Sequence, residues 1–450
     1  MKIKHIYKCL IVAFMAILLG ACTSTEADPK FDQNPIDRLN AREKELNDLL
    51  LSSADGWKAV YYTDTTQLGG WTHLFKFLPE GKVDMASDFD GDTAIQRSQY
   101  DIQLGSTVSL VFTTANRIHL LSQSDNFPTA ALVGKGYLGD FQFFYYGQEN
   151  GEIIFKTNRD FRELRFVKAK AQDWADLSKN TPIIAAMTGT ELSPLYRLLE
   201  INDGTAVQNY AFNYNTDARF GVATTLKTGA TDLFNMAVSF TPTGAVVRPA
   251  VLVKGQKLTN FVYDAVSNTF IATGTGGVSA TIKFTNVPPV LTNDYRVTLP
   301  AAGSPSTAYG YIAANLENAP TNSPLARMLL NEINAALPAT QKVNRVQFTF
   351  SPGGVADIMY SFTGGKAAIY HRVTVTEDAV NKTIILKNQF WHNGTAIIAA
   401  PALVKNIDDK LLDPKGLYVT RESFKIQYTN TIYTFSSASS SFRITTYAFQ

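Results

Sequence analysis

Short runs of alternating apolar and polar residues, each closed by turn formers, constrain this chain more than any other feature. Trp71, His73, Phe75 and Phe77 alternate with Thr72, Leu74 and Lys76. Val108, Leu110 and Phe112 alternate with Ser109 and Val111, and Phe424, Ile426 and Tyr428 with Lys425, Gln427 and Thr429. A period of two places one residue class on each face of a strand. From Trp57 to Lys168 about nine such segments follow one another, parted by Gly69-Gly70, Asp90-Gly91-Asp92 and Glu149-Asn150-Gly151. Even spacing with tight turns predicts an antiparallel meander, hence a mainly β fold (all-β or α+β) of curled sheets or barrel-like modules.

Helix signals punctuate the strands. Asn34-Pro35-Ile36-Asp37-Arg38, Ser193-Pro194-Leu195-Tyr196-Arg197 and Ser323-Pro324-Leu325-Ala326-Arg327 share a cap residue, a proline and an arginine. Asn or Ser accepts a bond from an unpaired helix N–H, and proline at the first helical position has no N–H to leave unpaired. Three helices are therefore expected, starting near Pro35, Pro194 and Pro324. Ile36, Leu39, Leu46, Leu49 and Leu50 share one side of the first, and Leu325, Met328, Leu329, Ile333 and Ala336 one side of the third. Each is followed by a hairpin-type turn, at Phe77-Leu78-Pro79-Glu80-Gly81, Phe240-Thr241-Pro242-Thr243-Gly244 and Phe350-Ser351-Pro352-Gly353-Gly354. The expected organisation is tandem modules, each a sheet with its own packed helix. Residues 34–170 form the first, 171–300 a linking helix and second module, and 301–450 the third, with the last strand near Phe442–Ala448 stitched into a sheet.

The chain start restricts location. Lys2, Lys4, His5 and Lys8 precede an apolar run from Ile11 to Leu19, too short to span a bilayer. Leu19-Gly20-Ala21-Cys22 follows and resembles a lipobox, which makes 1–21 a signal peptide and Cys22 the lipidated residue. Residues 22–33 read as a tether, whose Glu26 and Asp28 resemble those of surface-export tethers. Cys9 lies in the leader, so the chain after Cys22 has no thiol for a disulfide, a zinc–thiolate site or a nucleophile. Packing alone must stabilise it, and 45% hydrophobic with 18% charged residues suits a folded globular chain. A net charge of +2 without a basic stripe argues against nucleic acid as partner.

Catalytic signatures are sparse. His73, His119, His371 and His392 stand isolated, with no His-Glu-x-x-His, and neither a Gly-x-Ser-x-Gly elbow nor a P-loop occurs. No pair of carboxylates stands out for a glycosidase. Asp84, Asp88, Asp90 and Asp92 around Gly91 could offer oxygens to a hard cation. The glycine sits at the fourth position of that run with no Glu at the twelfth, which excludes an EF-hand, and a solvated acidic hairpin tip is the simpler expectation. No cofactor is implied. The candidate ligand contacts are aromatic: Trp57, Trp71, Tyr61, Tyr62, Tyr145, Tyr146 and Trp391, whose rings could stack on sugars or anchor a protein partner.

Several segments carry a family resemblance. They are Phe31-Asp32 before the Arg38 helix, Asp55-Gly56-Trp57-Lys58 with Tyr61 and Tyr62, Phe75-Lys76-Phe77, Ser98-Gln99-Tyr100, Leu110-Val111-Phe112-Thr113-Thr114 and Gly139-Asp140-Phe141-Gln142-Phe143. The stretch from about 31 to 170 resembles an uncharacterised lipoprotein family of Bacteroidetes, domain-of-unknown-function family 4302. It departs from that pattern at Thr114-Ala115-Asn116, where an aromatic is usual, and at Leu138, where glycine is usual. The resemblance implies an accessory lipoprotein beside an outer-membrane nutrient transporter and assigns no catalytic residue. The expectation is a non-enzymatic, lipid-anchored outer-membrane protein at the cell surface. Its partners would be a nutrient transporter with its lipoprotein lid, and the glycan or peptide taken up. A glycan- or peptide-hydrolysing surface enzyme, and a lipocalin-like carrier of an apolar ligand, are the alternatives.

Overall fold

The computed structural model describes residues 34–449, so Cys22 and the tether lie outside the described residues. Helix α1 (Pro35–Leu51) opens the fold, with the Asn34 side chain accepting the Ile36 N–H. Leu46 and Leu50 are fully buried while Ile36, assigned to the same face, is exposed. Eight strands follow: β1 (Trp57–Tyr62), β2 (Gly70–Leu78), β3 (Lys82–Ser87), β4 (Gln96–Leu104), β5 (Val108–Phe112), β6 (Gln142–Glu149), β7 (Glu152–Thr157) and β8 (Glu163–Lys168). Each pairs antiparallel with the next, and β8 returns to β1 to close a barrel. The expected nine segments are thus eight. The stretch after β5 folds instead into 3-10 turns at Arg117–Leu121 and Ala130–Leu132, the first held by Asn116 capping the Ile118 N–H.

Short helices α2 (Ala171–Asp176) and α3 (Asn180–Thr188) lead to a second closed barrel. Its strands are β9 (Tyr196–Asp203), β10 (Val207–Asn215), β11 (Phe220–Thr225), β12 (Leu233–Thr241), β13 (Gly244–Val253), β14 (Gln256–Asp264), β15 (Thr269–Thr273) and β16 (Val278–Thr285). Here the expected helix at Pro194 is absent. The Ser193 hydroxyl accepts the preceding Thr190 N–H and, among the described residues, makes no forward cap. Tyr196 onward runs as β9, paired with β16 from Tyr196↔Thr285 to Asp203↔Val278. Barrel closure overrides the local helix signal, and α3, with Ile183 and Met187 in the barrel's apolar cluster, is the helix that packs there.

The third unit runs β17 (Thr307–Ile312), α4 (Ala313–Leu316), α5 (Pro324–Ala335), β18 (Val343–Ser351), β19 (Val355–Phe362), β20 (Ile369–Asp378), β21 (Thr383–His392), β22 (Ile397–Ile398), α6 (Lys405–Leu411), β23 (Leu417–Arg421), β24 (Ile432–Ser437) and β25 (Arg443–Phe449). β17 pairs with β25 and β20 with β21, so this sheet closes too, with β22 an appended edge. Ser323 caps α5 through Ala326 N at 3.1 Å, and Ala326, Leu329, Leu330 and Ile333 are its buried face. Met328, assigned to that face, is exposed. The alternating stretch Phe424–Thr429 forms no ladder strand and contributes only an isolated Ile426–Tyr428 bridge. Mainly β architecture in tandem barrel-like modules is therefore the fold. Among the described residues no helix is long and apolar enough to cross a membrane.

A buried ion pair lies at the centre of the contact between the first two barrels. Asp88, at the end of β3, is fully buried, and its Oδ1 accepts the Arg219 guanidinium at 3.0 Å and the Thr72 N–H at 2.9 Å. Arg219 also donates to the Gly70 carbonyl at 3.1 Å and to the Asp88 carbonyl. It sits on the β10–β11 loop at φ 49°, and its neighbour Ala218 belongs to the first barrel's apolar core. Gly69 lets the two barrels approach: a Cβ there would lie 2.3 Å from the Val238 carbonyl oxygen. Removing one partner of such a pair strands a buried charge, which costs roughly 3–5 kcal/mol. Asp88→Asn should therefore lower the urea midpoint by that equivalent and separate the unfolding of the two barrels into distinct transitions. A variant that unfolds at the wild-type midpoint would show that the pair does not hold the junction.

Candidate functional site

Six of the seven aromatic candidates are buried. Trp57 donates Nε1–H to the Leu50 carbonyl at 3.0 Å, fastening α1 to the barrel. Trp71 packs edge-on against Tyr137, Tyr61 against Phe143, and the Tyr145 hydroxyl donates to Glu45 at 2.7 Å. Tyr62 bonds Ser239 across the barrel junction at 2.7 Å, and Trp391 lies flat on His371 at 4.1 Å between centroids. Tyr146 alone is half exposed, beneath the Lys156 ammonium. Alternation on a closed barrel sends every second ring inward, and among the buried candidates Tyr62 lines the cleft at the barrel junction and Trp391 the cavity beside His371.

The four aspartates also part company. Asp84 pairs with Arg97 at 2.6 Å, Asp88 with Arg219, and Asp90 and Asp92 with Arg117. Among the described residues no three metal-ligating side chains converge, there or elsewhere.

Two histidines are more informative than their isolation in the sequence suggested. His371 is buried, with Nδ1 2.9 Å from Asp408 Oδ2 and Nε2 2.7 Å from Asn388 Oδ1. The Tyr360 hydroxyl donates to the same carboxylate at 2.8 Å, and burial followed by the charge of Asp408 holds that phenol well above its ordinary range. A bulge in β21, where pairing slips between Arg372↔Phe390 and Val373↔Asn388, turns Asn388 toward His371. A cavity of about 420 Å³ lies against this group, with Lys405 and Asp409 at its edge. The dyad is oriented as a general base would be, but its outer nitrogen is taken by Asn388. No sequence signal joins residues 371, 388 and 408: the β20–β21 pairing brings the first two together and α6 adds Asp408.

His73 lies inside the first barrel with neither ring nitrogen bonded. Burial pushes its pKa down to about 3, with Asp88 opposing the shift and Arg219 adding to it. The unfolded chain binds this proton below about pH 6.5, and the folded chain does not until about pH 3. Stability should therefore rise with pH across that window and fall as pH drops through it. His73→Leu should flatten the pH dependence of the urea midpoint between about pH 7 and 5. Parallel curves for wild type and variant would contradict a buried neutral imidazole.

The best-formed candidate site is a cleft of about 410 Å³ where the first two barrels meet α2 and α3. Its cations come from separate elements: Lys58 on β1, Lys170 ahead of α2 and Arg248 on β13. Lys58 is matched by Asp173 at 2.8 Å and Asp176 by Lys179 at 2.7 Å. Neither Lys170 nor Arg248 has a carboxylate within ion-pair distance among the described residues. Arg248 instead lies 4.6 Å from the centre of the Tyr62 ring. Asn180, at the start of α3, is part of the junction: its Nδ2 donates to Asp88 at 2.8 Å and to the Phe240 carbonyl at 3.2 Å. Its Oδ1 is buried without a donor. Leu74, Leu177, Phe240 and Pro242 supply apolar wall. The cleft thus combines one unpaired acceptor, two unpaired cationic donors and an apolar side, which suits a polyhydroxylated or amide-rich ligand. Residues 58 to 248 build it, so no local motif could have announced it.

A family model described as Domain of unknown function (DUF4302) matches residues 27–265, and the chain belongs to that family. The matched stretch contains α1, the whole first barrel and the second as far as β14, hence both partners of the Asp88–Arg219 pair. No curated protein and no solved structure matches the chain.

Proposed function

We propose that this protein is a lipid-anchored outer-membrane lipoprotein, displayed at the cell surface, that binds a glycan or peptide without acting on it chemically. It would serve as an accessory component of a nutrient uptake system, beside a transporter and its lipoprotein lid. The observation that carries the reading is the junction cleft, whose floor is the buried contact between two barrels. Such a floor is pre-formed, so a ligand need not order it on binding. The lipobox at Leu19–Cys22 supports the anchor.

The alternatives find less support. A carrier of apolar ligands would need the barrel lumen, and in the first barrel Phe75 stacks on Phe166 at 4.7 Å and on Phe112 at 5.4 Å. A hydrolase would draw on His371 and Asp408, but Ser, Thr and Cys are absent from the residues lining the cavity beside them.

Cys22→Ser should move the protein from the membrane fraction to the soluble fraction; retention in membranes would refute the anchor. With that soluble full-length form, calorimetric titration against panels of oligosaccharides and short peptides should find a binder whose chemistry is unaltered afterwards. Lys170→Ala with Arg248→Ala should weaken that binding at least about a hundredfold, since each hydrogen bond from a charged donor contributes roughly 1.5–3 kcal/mol. Turnover of any panel member would overturn the non-enzymatic reading, and unchanged affinity in the double variant would displace the ligand from the cleft.

A further inference from the structure

The second barrel opens a wedge of its own. The β9–β10 ladder ends at Leu198↔Ala211. Beyond it Arg197 and Tyr196 stay with β16, while Phe212 to Asn215 stay with β11. The two strands part, and a cavity of about 400 Å³ fills the gap. Leu195, Phe220, Val222 and Pro289 give it apolar sides, and its lining includes no carboxylate.

Two polar atoms on residues that line the wedge lack partners. The Arg197 guanidinium donates through Nη2 to the Thr188 carbonyl and lies 4.7 Å from the centre of the Phe284 ring, but its Nε–H is shielded from solvent with nothing to accept it. The Tyr214 hydroxyl is likewise shielded and unbonded. Burial depresses the Arg197 pKa below the usual arginine range and raises that of Tyr214. Arg197 makes no ion pair among the described residues. A half-buried guanidinium without a counter-charge is unfavourable, and unsatisfied buried donors are rare enough in native proteins to call for a missing acceptor.

We propose that this wedge binds the carboxylate of a small ligand with an apolar body, through the Arg197 guanidinium and the Tyr214 hydroxyl. A carboxylate is planar and offers two acceptors to the side of a guanidinium, a strong and directional pairing. The apolar walls accommodate the remainder of such a molecule. The site is separate from the junction cleft and does not depend on the function proposed for it.

The test uses the full-length Cys22→Ser protein with 3-phenylpropionate, its neutral analogue 3-phenylpropanamide, and glucuronate as a carboxylate with a polar body. Calorimetry should detect phenylpropionate binding, at least about tenfold weaker binding of the amide and weaker binding of glucuronate. Arg197→Gln should abolish the preference for acid over amide. Tyr214→Phe, which removes only a hydroxyl, should weaken phenylpropionate several-fold and decides the matter if Arg197→Gln does not fold. Equal binding of acid and amide, no binding of phenylpropionate, or unchanged affinity in Tyr214→Phe would each overturn the proposal. Glucuronate binding as tight as phenylpropionate would overturn the requirement for an apolar body.

Discussion

The buried Asp88–Arg219 pair is the interaction on which the first two-thirds of the molecule depends. Desolvating two charges is favourable only when every lone pair and N–H finds a partner. Here the carboxylate receives Thr72, Arg219 and Asn180, while Arg219 reaches back to the carbonyls of Gly70 and Asp88. Those partners come from β2, β3, the β10–β11 loop and α3, so the network forms in one mutual placement of the barrels only. Apolar packing between two closed barrels would tolerate rotation, whereas this set of hydrogen bonds does not. The family match spans both residues of the pair and stops before the last two strands of the second barrel.

That constraint also decides where ligands can be received. The first barrel's lumen is filled by stacked rings, and the third holds Phe348 and Phe350 against Phe435. Interiors packed in this way hold their shape but receive nothing. Concave, partly unsatisfied surface remains where regular pairing stops: at the junction floor under Asn180, and where β9 leaves β10. In both places a buried side-chain polar atom lacks a partner, Asn180 Oδ1 in the first and Arg197 Nε and the Tyr214 hydroxyl in the second. The His371–Asp408 group is the contrasting case. There a bulge brings in Asn388 and both ring nitrogens are satisfied, so the group ties α6 to the barrel wall.

Period-two alternation made the strands and most turns legible, because each depends on neighbours two to five residues away. The Pro35 and Pro324 helices were legible for the same reason: a cap and its N–H lie within one turn. Ser193-Pro194 carries an equally good local signal and fails, since Tyr196–Asp203 is needed to close a barrel with a strand some eighty residues later in the chain. Phe424–Thr429 fails in the opposite sense, alternating without a neighbouring strand to pair with. Of the sites only single members were legible, Tyr62 of the junction cleft and Trp391 beside His371. Asp88 looked like one member of an acidic hairpin tip, and nothing near Arg219 identifies it as its partner. Ring-rich runs suggested a binding face, but on a closed surface the alternation that reveals a strand is also what buries its aromatic side.

The first and third barrels share more than strand count. Both have a three-residue Pro turn between two strands, with positive φ at Glu80 and Gly81 in one and at Gly353 and Gly354 in the other. In both, the next strand carries an aspartate directly opposite an arginine, Asp84↔Arg97 and Asp357↔Arg372, and each pair is bonded. The closing contacts correspond as well, β1 with β8 and β17 with β25. Their helices do not: α1 precedes β1, whereas α5 lies between β17 and β18. The Pro242 turn of the middle barrel, joining its fourth and fifth strands, has a two-residue loop and no counterpart in that scheme. The recurring element is thus the closed meander with its turn and cross-strand ion pair, while the helix is a separable cover. An eight-stranded barrel hides its own edges, so a helix need only shield apolar side chains and can enter from either side of the first strand without disturbing the ladder.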